Sequence, residues 1–476
     1  MNPTRLKSLI LIVVLIAATG AALAYSTGAG KTWLSGLFNP AAHRPEAFTA
    51  PLSLGGHLVQ HKVLQGSSGR VNLSLTVAAA DGPYAETAVQ RNVDMVIILD
   101  RSGSMKGRKL SDARLAVDQL ISRLTAKDRF ALITYSDGVQ QVSALAPVNA
   151  AHRQQLASAV AGVTAGGGTN LGAGLQAGID VLLAAEETGN ARKLVLISDG
   201  LVNKGITDAG RLGAMANIAV EKEFAVSTVG VGHDFNEALM TSIADRGAGN
   251  YYYLENPLAF SEVFQKELFY AQATVASSVS IWFPESKGLS VLDAAGYPIT
   301  RQNHFAVFYP GNLRSGQTRK LFLTVQVPTA SAASFEIGAI KARYRFNGQS
   351  METILGQSFK IACVEDKKEV QASIDKTAWA EKVIQEDYNR LKQEVAAEVR
   401  AGKKENALMK IHRYYREQES INATVGSAEV RQNLDQDLKD LRRRVEDTFT
   451  GEPAAVMRQQ KASSKALQYE GYRGRR

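Results

Sequence analysis

The chain has 476 residues, 45% of them hydrophobic and 7% aromatic, which suits about three folded domains at roughly 150 residues each. A formal net charge of +9 is a modest cationic excess, and no nucleic-acid-binding module is recognisable, so the excess reads as solvated charge and nucleic acid is not an expected partner. The single cysteine, Cys363, excludes an internal disulfide framework and a cysteine-rich zinc site.

At the N-terminus Arg5 and Lys7 precede an uncharged run from Ser8 to Gly30 with a strongly apolar centre, Leu9–Ala18. Ala22-Leu23-Ala24 then fits a small-x-small cleavage site before Tyr25. Uncut, the run is long enough to cross a hydrocarbon core of ~30 Å. Residues 1–24 are therefore read as a signal peptide or a membrane anchor, and either outcome exports the rest of the chain to the periplasmic or extracellular side. Gly28-Ala29-Gly30-Lys31-Thr32 looks like the end of a phosphate loop, but Tyr25 stands where the first glycine belongs, and the match is discarded. Residues 25–50, with Asn39-Pro40 and Arg44-Pro45, read as a linker.

Leu52–Leu64 and Val71–Ala79 read as strands, the first part (51–90) of a β-sandwich; Val71, Leu73, Leu75 and Val77 alternate with polar or small residues. His57 and His61 have the spacing of a zinc-binding helix. On a strand, at ~3.3 Å per residue, they would stand about 13 Å apart, too far for one ion, so they are expected on the exposed face.

The chain turns on Val93–Met105. The apolar run Val96–Leu99 has the two-sided character of a strand buried in a parallel sheet, and it ends in Asp100-Arg101-Ser102-Gly103-Ser104. One carboxylate and two hydroxyls in a tight loop are hard oxygen ligands, which suit Mg²⁺ better than zinc or copper. Two further loops repeat the pattern. Gly166-Gly167-Gly168 delivers Thr169 before the helical stretch Leu171–Ala185, and the strand Lys193–Ile197 runs into Ser198-Asp199-Gly200. Ligands of open α/β sheets gather at the carboxyl ends of the strands, where all three loops would lie.

This arrangement resembles the von Willebrand factor type A (VWA) domain, and Asp100, Ser102, Ser104, Thr169 and Asp199 match every position of its metal-ion-dependent adhesion site. The resemblance covers residues 91–272. It implies that Ser102, Ser104 and Thr169 touch the metal, that Asp100 and Asp199 hold it mostly through water, and that the ion is Mg²⁺, with Mn²⁺ or Ca²⁺ as alternatives. It also implies protein–protein adhesion or assembly, the partner's acidic side chain completing the coordination. The alternating strands and helices of this stretch agree with a doubly wound, mostly parallel α/β sheet.

From Ala273 to residue 364 the period returns to two over Val275–Phe283, His304–Tyr309, Lys320–Val327, Phe335–Phe346 and Met351–Lys360. With the strands before residue 80 these would form one antiparallel β-sandwich into which the α/β module is inserted; two separate small β units are the alternative. Residues 365–450 read as a helical hairpin, with apolar stripes Ile384, Tyr388, Leu391, Val395 and Leu434, Leu438, Leu441, Val445. Residues 451–476 are basic without apolar periodicity and read as disordered. No nucleophile elbow, His-Glu-x-x-His helix or complete phosphate loop is present, so binding is expected here and no enzyme activity. His233-Asp234 follow the strand Phe224–Val231, and Asp234 reads as a helix cap. A metal-stiffened structural subunit of an envelope complex and, behind it, a metal-dependent hydrolase are the other readings.

Overall fold

A computed structural model describes residues 50–81, 91–286 and 288–475 of the chain. The expected export segment and most of the linker lie outside these residues; no described helix is long and apolar enough to cross a membrane.

Three strands open the described chain: Leu52–Leu58 (β1), Lys62–Leu64 (β2) and Arg70–Ala79 (β3). The α/β module follows with Val93–Asp100 (β4), Arg108–Arg123 (α1), Arg129–Tyr135 (β5), Val139–Pro147 (β6), Ala150–Ala161 (α2), Leu171–Ala184 (α3) and Ala191–Ser198 (β7). It closes with Ala209–Glu221 (α4), Phe224–Val231 (β8), Glu237–Arg246 (α5), Ala248–Leu254 (β9) and Phe260–Gln272 (α6). The sheet order is β6-β5-β4-β7-β8-β9, parallel except for β6, which returns against β5 through the turn at Asp137-Gly138. Every residue of β4 is buried. Met95, Ile97 and Leu99 pack with α1 and α6 on one face, Val96 and Ile98 with α3 on the other. That is why the strand shows no alternation: each face is core, and burying each such side chain contributes about 1.5–3 kcal/mol.

After the module come Thr274–Pro284 (β10), Ser290–Ala294 (β11), Thr300–Gln302 (β12), Phe305–Phe308 (β13), Leu313–Arg314 (β14) and Thr318–Gln326 (β15). Ala333–Ile337 (β16), Lys341–Phe346 (β17), Gln349–Ile354 (β18) and Phe359–Val364 (β19) complete the β part. β15 pairs antiparallel with β3 along its whole length, Leu321 opposite Leu75 and Leu323 opposite Leu73. Strands from before and after the module thus share a sheet, and one core of Leu73, Leu75, Ile281, Phe283, Leu323 and Ile361 fills the space between sheets. The pairing is not wholly antiparallel: β19 runs parallel to β2. The expected long strands Phe335–Phe346 and Met351–Lys360 each divide in two, the gaps between the halves containing Gly338 and Gly356.

The C-terminal part is helical: Lys367–Ala372 (α7), Lys376–Lys382 (α8), Tyr388–Arg400 (α9), Lys404–Val425 (α10), Ala428–Gln432 (α11), Leu438–Thr448 (α12) and Pro453–Gly474 (α13). Wide π-type turns join α8 to α9 and α11 to α12. Leu391, Val395, Leu434, Leu438, Leu441 and Val445 fill a core of their own, so the two apolar stripes largely serve internal packing.

The disordered tail expected beyond residue 451 is corrected by α13. Its cations find acidic partners far away in sequence: Lys461 meets Asp234, and Lys465 meets Glu237. Its Tyr472 packs into the α/β core and its Leu467 into the helical core. Gly471 permits close approach to α9, since a Cβ there would stand 2.5 Å from the carbonyl oxygen of Asn389. Periodicity alone missed this helix because it is held by ion pairs and aromatic rings.

Candidate metal centre

β4 and β7 are parallel neighbours in register, so Asp100 at the end of one and Asp199 just past the end of the other emerge at the same rim of the sheet. Past Asp100 the Arg101 N–H still donates to Tyr135 O (2.9 Å), after which Gly103–Met105 forms a single tight turn. The glycine run lies alongside. Gly166 N–H donates to Arg101 O (2.8 Å) and Gly103 N–H to Gly167 O (3.0 Å). Gly167 has φ +82°, and a Cβ there would collide with the Asp137 carboxylate. Thr169 is fixed by its own N–H donating to Asn203 Oδ1 (2.8 Å).

The predicted side chains converge. The Ser102 and Ser104 hydroxyls are 3.0 Å apart, and Ser104 Oγ donates to Asp199 Oδ1 at 2.7 Å. Asp100 Oδ1 accepts from Ser102 N–H (2.7 Å) and its Oδ2 from Ser198 Oγ (3.0 Å). Thr169 joins through Gly200, where an added Cβ would stand 3.2 Å from Ser104 Oγ and 3.7 Å from Thr169 Oγ1. All five residues therefore occupy one rim.

The charge balance of the cluster favours a cation. Asp100 and Asp199 are both fully buried. Lys109, from the first turn of α1, meets Asp199 Oδ2 at 2.5 Å, while Asp100 has hydrogen bonds and no ion pair among the described residues. Burial pushes the Asp100 carboxyl up to about 6; the neighbouring Asp199 charge adds to the shift and the hydrogen bonds from Ser102 and Ser198 oppose it. Two buried carboxylates against one ammonium, ringed by neutral hydroxyls, form an all-oxygen donor set that suits a hard divalent ion. Among the described residues no group of three His, Cys, Asp or Glu side chains offers another metal site.

Sequence reasoning missed three contributors. Lys109 carries no local signal of a site, and its partner lies 90 residues away. Asn203 sits in a loop with no pattern of its own. Asp137, in the turn between β5 and β6, accepts from Gly168 N–H (2.9 Å) and pairs with Lys204. Asp234 does not cap the helix that follows: Asn236 does, accepting from Leu239 N–H at 3.2 Å, whereas Asp234 is held by Lys461. Asp208, by contrast, caps α4, its side chain accepting from Arg211 N–H. His57 lies on β1 facing Asp375 (3.2 Å).

Residues 94–266 match the family model described as von Willebrand factor type A domain. The chain is 33% identical over 216 residues to the protein YfbK of Escherichia coli (strain K12), covering 44% of this chain and 36% of that protein. It is 24% identical over 290 residues to inter-alpha-trypsin inhibitor heavy chain H1 of Homo sapiens, covering 59% of this chain and 28% of that one. The chain thus spans little more than a third of one relative and under a third of the other. Among solved structures it is similar to a von Willebrand factor type A protein from Catenulispora acidiphila, with TM-score 0.65 and 18% identity over 91% of this chain and 98% of that one. It is also similar to the ArnB paralog VWA2 from Sulfolobus acidocaldarius, with TM-score 0.52 and 16% identity over 88% and 99% of the two chains. At these identities the likeness is one of fold, and it reaches well past the α/β module. Residues 94–266 of this chain are a von Willebrand factor type A domain.

Proposed function

We propose that this chain is an exported or membrane-anchored binding protein whose VWA domain captures an acidic side chain of a protein partner through a divalent cation, Mg²⁺ first. The observation that carries the reading is the chain of oxygens in which Ser104 Oγ lies 3.0 Å from Ser102 Oγ and 2.7 Å from Asp199 Oδ1, beside two buried carboxylates that, among the described residues, have a single ammonium to balance them. Domains of this type bind protein partners and commonly hold a divalent ion at these positions, which supports the assignment.

Ser102, Ser104 and Thr169 would hold the ion through neutral oxygens, and Asp100 and Asp199 would hold it from behind, mostly through water. When bound, such an ion keeps most of its positive charge and a coordination position that an incoming carboxylate can fill. Asp100 also organises the loop, since its carboxylate anchors the Ser102 N–H and the Ser198 hydroxyl. The export segment at residues 1–24 supports a partner on the outer side of the membrane.

A cross-linked pull-down from envelope extract tests the proposal, comparing Mg²⁺ with excess chelator and the intact chain with Asp100→Ala. Partner capture that needs both Mg²⁺ and Asp100 is the expected result. Equal capture in chelator or by the variant contradicts it.

A further inference from the structure

The opposite rim of the same sheet carries a second concave site of opposite sign. At the amino ends of β7, β8 and β9 a cavity of about 580 Å³ opens between the VWA domain, the loops around Gly311 and Gly348 of the β-sandwich, and the last turns of α13. That volume lies in the range of small-molecule sites, ~300–1,000 Å³. Its lining includes eight Lys or Arg side chains and two Glu.

Some of that charge is matched. Lys193 pairs with Glu267 (2.6 Å), Lys266 with Glu262 (2.7 Å) and Arg345 with Glu223 (2.9 Å). Even with Glu262 and Glu267 counted, cations outnumber carboxylates eight to four. The guanidiniums of Arg192, Arg314 and Arg473 have no carboxylate within ion-pair distance among the described residues. Each lies instead over an aromatic ring: Phe224 at 5.5 Å, Tyr270 at 4.0 Å and Tyr469 at 5.6 Å from the centroid. A ring fixes the plane of a guanidinium and leaves N–H groups of its fork to bond an oxyanion; at Arg192 one arm, Nη1, already donates to the Lys222 carbonyl (3.1 Å). Burial lowers the Arg91 and Arg192 guanidiniums from their usual value, against the opposing charge of Glu223 at both and of Asp94 and Glu187 at Arg192.

We infer that this cavity binds a small oligoanion, a ligand bearing two or more carboxylate, phosphate or sulfate groups, with Arg192, Arg314 and Arg473 as its principal contacts. Three guanidiniums contributed by the VWA sheet, the sandwich and the terminal helix converge on one recess, which favours a ligand that bridges them. Planar forks on aromatic platforms match the oxygens of such groups in a bidentate manner. Binding there would also tie the three parts of the chain together.

Calorimetry on the full chain, in metal-free dialysed buffer at low salt, tests this with citrate, pyrophosphate and a sulfated disaccharide as probes and maltose as the neutral control. Using Asp100→Ala as a parallel host removes any contribution from the opposite rim. Saturable binding of at least one anionic probe to both hosts, weakening as salt rises, is expected, with none for maltose. The pair Arg192→Gln and Arg314→Gln should lower affinity at least tenfold, and Arg473→Gln alone several-fold, with unfolding midpoints confirming that each variant is folded. The identity of the tightest probe distinguishes carboxylate, phosphate and sulfate sources. No saturable binding by any anionic probe, or equal affinity in a folded double variant, would overturn the inference.

Discussion

The two rims of the VWA sheet are built from the same parallel strands and carry opposite chemistry. At the carboxyl rim, β4 and β7 deliver buried carboxylates and hydroxyls; at the amino rim, the starts of β7, β8 and β9 face a recess crowded with guanidiniums. Helix N-termini lie at the carboxyl rim, and their dipoles by themselves favour anions there. Asp100 and Asp199 reverse that preference. The sign of the ligand at a sheet edge is therefore set by side chains placed in the loops, and the backbone supplies only the place where loops converge.

The sharpest way to break the comparison is to remove the ion pair behind the cationic rim. Glu267 is fully buried and takes hydrogen bonds from Ser227, Asn250 and Tyr252 besides its pair with Lys193. Lys193→Met would leave that carboxylate without its cation, and a loss of about 3–5 kcal/mol is expected in denaturant unfolding. Lys465→Met should cost about 3 kcal/mol by the same mechanism, because Lys465 is the buried partner of Glu237 and bonds the Phe235 carbonyl; Arg400, which also meets Glu237, moderates the loss. A cost under 1 kcal/mol would mean that α13 is not anchored as described.

The acid limb of stability follows from the same groups. Burial alone would raise the Glu267 and Glu237 carboxyls, but Lys193 with its supporting hydrogen bonds, and Lys465 with Arg400, outweigh it and hold both below the usual carboxylate range. Folded values below the unfolded one of 4.5 mean that this stabilisation is present above that pH and is lost as pH falls through the folded values. Unfolding free energy should therefore drop with acid below that point, and Lys193→Met should flatten the dependence. A variant as acid-sensitive as the intact chain would contradict the assignment.

At the carboxyl rim the effects fall on binding. Lys109→Met removes the ammonium that shares Asp199 and should raise Mg²⁺ affinity about tenfold, a modest share of the Coulomb energy between close charges near a surface. An unchanged or weakened affinity would show that Lys109 does not compete for the site.

How far the chain could be read in advance differs between these regions for a physical reason. The loop after β4 announced itself because a strand buried on both faces must be continuously apolar, and because Asp100, Ser102 and Ser104 are neighbours in sequence. Thr169 and Asp199 each followed a local signal, a glycine run and a short apolar strand. The cationic recess had no such mark: Arg192, Arg314 and Arg473 come from three distant segments, and each alone reads as solvated charge. The same holds for α13, whose Lys461 finds Asp234 across 227 positions. Asp234 and Asn236 carry equal capping chemistry two residues apart; Asn236 directly precedes the helix and caps it, while Asp234 is held by the remote Lys461. Periodicity also overran Gly338 and Gly356, where strands change sheets.

Calorimetric titration of Mg²⁺ into the metal-free chain tests the central claim most directly, with Ser104→Ala and Asp199→Asn as companions. One saturable uptake site is expected in the intact chain, weakened at least a hundredfold in each folded variant. No uptake of either Mg²⁺ or Mn²⁺, or uptake indifferent to both substitutions, would contradict it.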